Sequence, residues 1–274
     1  MRTLLVLGRV SNLPTVWSNC LAAWVLGGGG GWNHFLLVCL GATLLYTGGM
    51  FLNDAVDVSF DRRFRPERPI VSGQISARAV WILSVVWLAA GLGVFLSLEK
   101  PSIFAVLLLC AIVVYDVAHK RTKLAPFLMA ACLFLLYLAG ASACHSGVTP
   151  AVLWSAAALA SYILGISFLA RGESTGERSM RWTLGLLFVP AIIAMAGAHQ
   201  NMLLVLVPKV CQIAWLLWCL GSAWAHRWLP QGVGGLLAGI VLVDWLAIAG
   251  QGFSVAFACL FLLALLLQRI APAT

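Results

Sequence analysis

Asn53 to Gly73 reads NDAVDVSFDRRFRPERPIVSG. The chain has nine acidic residues among 274, and four of them, Asp54, Asp57, Asp61 and Glu67, fall here together with Arg62, Arg63, Arg65 and Arg68. The aspartates lead, at i, i+3 and i+7, a spacing that confines three carboxylates to one narrow stripe of a helix, with Asn53 one turn before Asp57. Like charges stacked this way destabilise a helix, and ionisable groups near a membrane core are costly and usually functional. A hard divalent cation would compensate them, and Mg²⁺ is commonly held by one or two carboxylates together with waters and substrate phosphates. The arginines that follow suit a diphosphate, because a planar fork gives bidentate, permanently charged contacts. Pro66, Pro69 and Gly73 shape a loop there instead of continuing the helix.

The rest of the chain explains why such a cluster stands out. It is 62% hydrophobic and 9% charged, with mean hydropathy +0.99, whereas soluble domains carry roughly a quarter charged residues. Apolar windows of about 20 residues predict an all-α polytopic membrane protein with helices near 12–31, 34–53, 77–98, 101–117, 124–144, 150–170, 181–198, 202–225, 231–250 and 252–269. The count is ten, or nine if one of the last two does not span. No hydrophilic segment is long enough for a soluble domain, so residues 1–274 read as a single membrane domain. The opening MRTLLVLGRVSNLP is interrupted by Arg9, Asn12 and Pro14 and does not fit a cleavable signal peptide, so the first helix is expected to remain. The eight cysteines are scattered through apolar segments without a CxxC pair, which argues against a disulfide framework and against a zinc site.

Charge placement sets the expected topology. With the N-terminus in the cytoplasm, that side collects Arg2, Arg9, Arg62, Arg63, Arg65, Arg68, Arg78, Lys120, Arg121, Lys123, Arg171, Arg178, Arg181, Arg227 and Arg269, fifteen of the seventeen basic residues. This is the asymmetry of the positive-inside rule, and the net charge of +8 then needs no nucleic acid to explain it. An integral protein, of a bacterial inner membrane, is expected. Three inner connections are polar: Asn53 to Arg78, Asp116 to Lys123, and Arg171 to Arg181. They follow the second, fourth and sixth helices, so all three return to one face.

On these residues the sequence resembles a known family. NDAVDVSFD matches NDxxDxxxD, and ERPIVSGQIS matches RPxxxGxIS, the paired motifs of the UbiA superfamily of intramembrane prenyltransferases. The resemblance implies helices around a lipid-open central cavity, a Mg²⁺ cofactor, and as partners a prenyl diphosphate donor, a lipophilic or aromatic acceptor and membrane lipid. It assigns Asn53, Asp54, Asp57 and Asp61 to the first metal site, the three aspartates also being catalytic, and it places Asn53, Arg62 and Arg68 beside the diphosphate. In the second inner loop, YDVAHKRTK, a tyrosine followed by a lysine holds diphosphate in the family. That points to Tyr115 with Lys120, counted as catalytic, and then Arg121. Asn19 of the first helix is placed with the substrate-binding residues.

The same loop carries Asp116 and His119 as extra polar residues. His119 is either a general base near neutral pH or simply solvated. The third loop departs from the family. It reads ARGESTGERSM, with Glu173 and Glu177 at i, i+4 where a DxxxD motif is usual. Glutamates on one helical face can ligate Mg²⁺, Arg171 would then meet diphosphate, and an ion-pair network is the alternative. This AR-x-E form resembles a branch found in bacterial ebo-type gene clusters. Lys209 and Asp244 lie at similar depths in neighbouring helices and are expected to pair with each other. Two other readings stay open beside the transferase: a terpene cyclase that acts on the prenyl diphosphate alone, and a non-catalytic isoprenoid-binding or transport protein.

Overall fold

Helices account for the regular structure of the computed structural model, which describes residues 2–100, 102–120, 122–175, 182–196, 202–226 and 229–271. There is no strand among them. Helix α1 (Arg2–Leu7) leads through a 3₁₀ turn (Val10–Asn12) into α2 (Leu13–Leu26). There follow α3 (Trp32–Val56), α4 (Val58–Phe64), α5 (Ala77–Leu96), α6 (Ile103–Ala118), α7 (Ala125–Ser142), α8 (Pro150–Thr175), α9 (Trp182–Leu186), α10 (Val189–Ala196), α11 (Met202–His226), α12 (Leu229–Ala238), α13 (Ile240–Ala247) and α14 (Ser254–Gln268).

Local sequence sets several of these boundaries. Pro14 and Pro126 sit in the first turns of α2 and α7, where the missing N–H removes nothing the helix would use. Ser76 caps α5, its Oγ accepting from Ala79 N at 3.2 Å. Two of the ten expected helices are broken. The seventh becomes α9 and α10, with Pro190 starting the second piece, and the ninth becomes α12 and α13, separated only by Gly239. At that break the Tyr162 hydroxyl donates to Leu236 O at 2.9 Å and occupies the place a Cβ on Gly239 would take.

Five helices, over Trp32–Val56, Ala77–Leu96, Ala125–Ser142, Pro150–Arg171 and Leu204–Ser222, are long and apolar enough to cross a membrane. Their outward faces leave large side chains such as Leu36, Val85, Trp154 and Leu217 exposed, an apolar belt that water would not tolerate. Inside, α2 is the hub, packing against α3, α7, α13 and α14 around buried Leu21, Tyr137, Leu159, Val241 and Phe257. Helices α3 and α5 approach closely because small residues line the seam: a Cβ on Gly91 would lie 2.8 Å from Leu45 N, and one on Gly48 2.9 Å from Leu88 N. This seam fixes the axial position of α3, whose last turn carries the acid stripe.

The expected Lys209–Asp244 pair does not form. Asp244, 1% exposed, turns towards α2, where its Oδ2 accepts from Ser18 Oγ at 2.5 Å and Asn19 Nδ2 at 2.6 Å. Equal depth in two helices fixes no azimuth, and the face of α13 that bears Asp244 packs on α2. A buried carboxylate takes the donors within reach, and here they are neutral.

Candidate functional site

The acid stripe survives as a continuous helical path through the junction of α3 and α4. Asp57 N donates to Asn53 O at 3.0 Å and Asp61 N to Asp57 O at 2.9 Å, so the i, i+3, i+7 geometry carries across the joint. Asn53, Asp54, Asp57 and Asp61 are 6%, 4%, 8% and 3% exposed, which excludes a solvated helix end. The charges of Asp54 and Asp57 are met by bases from three separate parts of the chain.

Asp54 takes two guanidinium groups. Arg68, brought back by the PERPIVSG loop that closes at Gly73 with φ 76°, places Nη1 3.3 Å from Asp54 Oδ1. Arg9 Nη2 lies 3.7 Å from the same oxygen and donates to Asn53 Oδ1 at 3.3 Å. Arg9 sits in the left-handed region, φ 42° and ψ 51°, the only non-glycine residue among those described with positive φ. A long side chain in that region is held there by its surroundings, and here it turns the guanidinium towards the buried acids, which together with their bases form a claw. Burial lowers the pKa of Arg68, and the Arg9 charge lowers it further, against the pull of Asp54.

Asp57 faces the second loop. Lys120 Nζ is 2.7 Å and His119 Nε2 3.4 Å from Asp57 Oδ2, and Lys120 also lies 3.6 Å from the centre of the Phe60 ring. Burial alone would push Asp57 up, but the hydrogen bonds and charges of His119 and Lys120 outweigh it and hold the carboxyl below its usual range. His119 goes the other way: burial lowers it, and the Asp57 carboxylate raises it above the ordinary histidine value. Its Nδ1 is 3.1 Å from Asp116 O and its ring stacks on Tyr115 at 5.1 Å. Both ring nitrogens thus face acceptors, an arrangement that favours the protonated ring.

Asp116, 2% exposed, joins the claw from α6. Its Oδ1 accepts from Asn53 Nδ2 at 3.0 Å. A cavity of about 110 Å³ opens between the α3–α4 junction and the end of α6, lined by Val56, Asp57, Phe60, Asp116, His119 and Lys120 among others.

The structure therefore gathers Asn53, Asp54, Asp57, Asp61, Arg68, Tyr115 and Lys120 at one end of the bundle. Arg62 is exposed on α4, outside the claw's ion pairs. Asn19 is not brought there at all, since it is engaged with Asp244 in the core. Arg171 Nη1 donates to Thr122 O at 3.0 Å, which ties the third loop to the second. Arg121 and Glu177 lie outside the described residues, as does the side chain of Glu173. Arg9 and Asp116 are the claw members to which the motifs give no role. Arg9 reads as one topogenic charge among fifteen, and its only local signal is its place before the helix-starting SNLP.

Among the described residues no three His, Cys, Asp or Glu side chains converge tightly enough to cage an ion, so the stripe does not close into a three-carboxylate site. It does leave hard oxygens for one. Asp54 Oδ2, Asp61 Oδ1 and Asp116 Oδ2 are buried without a hydrogen-bond partner. Such atoms are costly and are the donor type Mg²⁺ selects, usually one or two at a time with phosphate completing the shell. The residues present fit that ion.

Residues 11–248 match the model of the UbiA prenyltransferase family. A 150-residue stretch is 31% identical to a 4-hydroxybenzoate octaprenyltransferase of Pectobacterium atrosepticum, covering 53% of this chain and 52% of that protein. A 90-residue stretch is 32% identical to a digeranylgeranylglyceryl phosphate synthase of Sulfolobus acidocaldarius, covering 33% and 32%. The chain thus matches about half and about a third of the length of these relatives. In fold it is similar to a UbiA homologue from Archaeoglobus fulgidus solved with GPP and Mg²⁺, at TM-score 0.67 and 17% identity over 96% of this chain and 99% of that one. An apo UbiA homologue from Aeropyrum pernix superposes with TM-score 0.67 at 17% identity, covering 87% and 96%.

Proposed function

The chain belongs to the UbiA prenyltransferase family, and from that premise we propose that it is a Mg²⁺-dependent intramembrane prenyltransferase that ionises a prenyl diphosphate and passes the prenyl group to a lipophilic or aromatic acceptor. The observation that carries this reading is the burial of Asp54 and Asp57, each held by a cationic side chain able to exchange a carboxylate for a phosphate.

Asn53, Asp54, Asp57 and Asp61 are the residues that would hold Mg²⁺, which supplies positive charge against the departing diphosphate. The protein's own part is the exchange of partners. Arg9, Arg68 and Lys120 neutralise the acids at rest. A bound diphosphate would offer these bases stronger, bidentate acceptors and release Asp54 and Asp57 from their ion pairs. Preorganised charge of this kind usually contributes more than any other effect to stabilising a leaving anion. His119, when protonated, adds to it, while Phe60 keeps a π face beneath Lys120.

The positive-inside distribution supports placing the claw end in the cytoplasm, and the membrane in this reading is a bacterial inner membrane. Nine or ten spans, two of them broken at residues 187–188 and at Gly239, enclose a lipid-open cavity. Purified protein incubated with Mg²⁺ and donors of increasing chain length, its products read by mass spectrometry, tests the reading. Prenylated acceptor supports it. Hydrocarbon or terpene alcohol formed from donor alone identifies a cyclase instead, and bound donor without turnover identifies a carrier.

A further inference from the structure

Beyond the claw, α4 carries a surface that none of the ion pairs uses. The Phe60 ring lies 3.6 Å from the Lys120 ammonium, and Phe64, one helical turn further on, stacks on Phe60 with ring centres 4.6 Å apart. The Arg63 guanidinium closes the row, 5.4 Å from the centre of the Phe64 ring. Phe60 is 38% and Phe64 60% exposed, and Arg62, Arg63 and Arg65 are exposed beside them. Among the described residues no acid forms an ion pair with these three arginines. Asp61 is buried, and Glu67 alone among the acids of 57–67 is exposed. The face is therefore apolar and positive at once.

Its place in the fold is the edge of the bilayer. Helix α3 has 25 residues, about 37 Å of helix, which exceeds a hydrocarbon core of about 30 Å. Helix α4 follows after one residue and so emerges among the headgroups. The exposed stripe of α6, Val113, Val114 and Val117, runs up to it, since Val117 and Phe60 line the same cavity. The rings thus continue a lipid-facing surface to its end. Aromatic side chains and arginines at that level suit the interface between acyl chains and headgroups, and positive charge there favours an anionic headgroup over a zwitterionic one.

We propose that the outer face of α4, Phe60 and Phe64 with Arg62, Arg63 and Arg65, is a docking surface for anionic phospholipid. The rings lie at the boundary of headgroups and acyl chains, and the guanidinium groups take the lipid phosphates. This preference holds whether the chain transfers, cyclises or only carries a prenyl group.

The test is electron paramagnetic resonance of spin-labelled phosphatidylglycerol and phosphatidylcholine around the full-length protein. Reconstitution at one chain per nanodisc, in phosphatidylcholine, keeps a second copy from covering the face. Wild type is expected to hold phosphatidylglycerol at least about fivefold more strongly, the effect of one basic residue at a membrane surface. The preference should fade at about 1 M salt, where charges are screened beyond about 3 Å. Arg63→Gln with Arg65→Gln is expected to lose most of it, and Arg63→Glu with Arg65→Glu to reverse it. Arg78→Gln with Arg269→Gln removes the same charge from exposed positions outside α4 and is expected to keep it. The salt dependence of wild type needs no variant to fold. No preference in wild type, a preference indifferent to salt, or an equal loss in the Arg78 and Arg269 variant would each overturn the proposal. Displacement of the labelled lipid by inorganic phosphate at constant ionic strength would assign the face to a free anion and overturn it too.

Discussion

Lys120 Nζ lies 2.7 Å from Asp57 Oδ2 and 3.6 Å from the centre of the Phe60 ring. The ammonium is thus held between a carboxylate it can release and a π face it keeps. Lys120→Met is expected to weaken prenyl diphosphate binding about 10- to 100-fold, the equivalent of about 1.5–3 kcal/mol for a charged hydrogen bond. Phe60→Leu retains the ion pair and loses about 0.5–1 kcal/mol of cation–π attraction, a few-fold effect. Calorimetric titration with a thiodiphosphate analogue separates the two.

Arg9 is the base least visible in the sequence and among the most committed in the structure, reaching Asn53 and Asp54 across 44 residues of chain. Arg9→Gln is expected to lower diphosphate affinity by about 1.5–3 kcal/mol, and Arg9→Lys to restore little of it, since a point charge does not reproduce the fork. Equal affinities for wild type and Arg9→Gln would remove Arg9 from the site.

What is legible in the sequence and what is not follows from the range of the interactions. The acid stripe needs only helical spacing, and in so apolar a chain its burial follows from the rarity of acids, so Asp54, Asp57 and Asp61 stand out. Lys120 is reachable from the short loop that bears it. Arg9 and Asp116 join only through tertiary approach, the first by an unusual backbone conformation and the second by the azimuth of α6. The same lack of azimuth misdirects two assignments. Asn19 reads as a substrate residue yet turns into the core, and Asp244 matches Lys209 in depth yet faces α2.

The contact of Asp244 with α2 has a stability consequence. Asn19→Ala or Ser18→Ala leaves the Asp244 carboxylate short of a donor and is expected to destabilise the protein by about 1–3 kcal/mol. Lys209→Gln is expected to be nearly neutral. Thermal unfolding in detergent reads both, and a Lys209→Gln loss as large as that of Asn19→Ala would restore the ion pair inferred from depth.

The pH dependence of the metal-free protein should carry the mark of the His119–Asp57 contact. The folded-state pKa of His119 is raised by Asp57, so its stabilising contribution is fully present below the unfolded value of about 6.5 and is lost as pH rises through the folded value. Asp57 is lowered; its contribution is present above about 3.9 and is lost as pH falls through the folded value. With chelator present, the melting temperature should therefore fall on the alkaline side of about pH 6.5, and His119→Gln should flatten that fall. Superimposable profiles would show the contact to be without charge.

The most direct test of the claw is diphosphate release. Asp54→Asn and Asp57→Asn, folded as judged by unchanged elution and melting, are expected to release no pyrophosphate from a prenyl diphosphate and Mg²⁺ with acceptor-containing membrane lipid, under conditions where wild type does. Release at the wild-type rate by both variants would contradict the assignment of these carboxylates to the ionisation of a prenyl diphosphate.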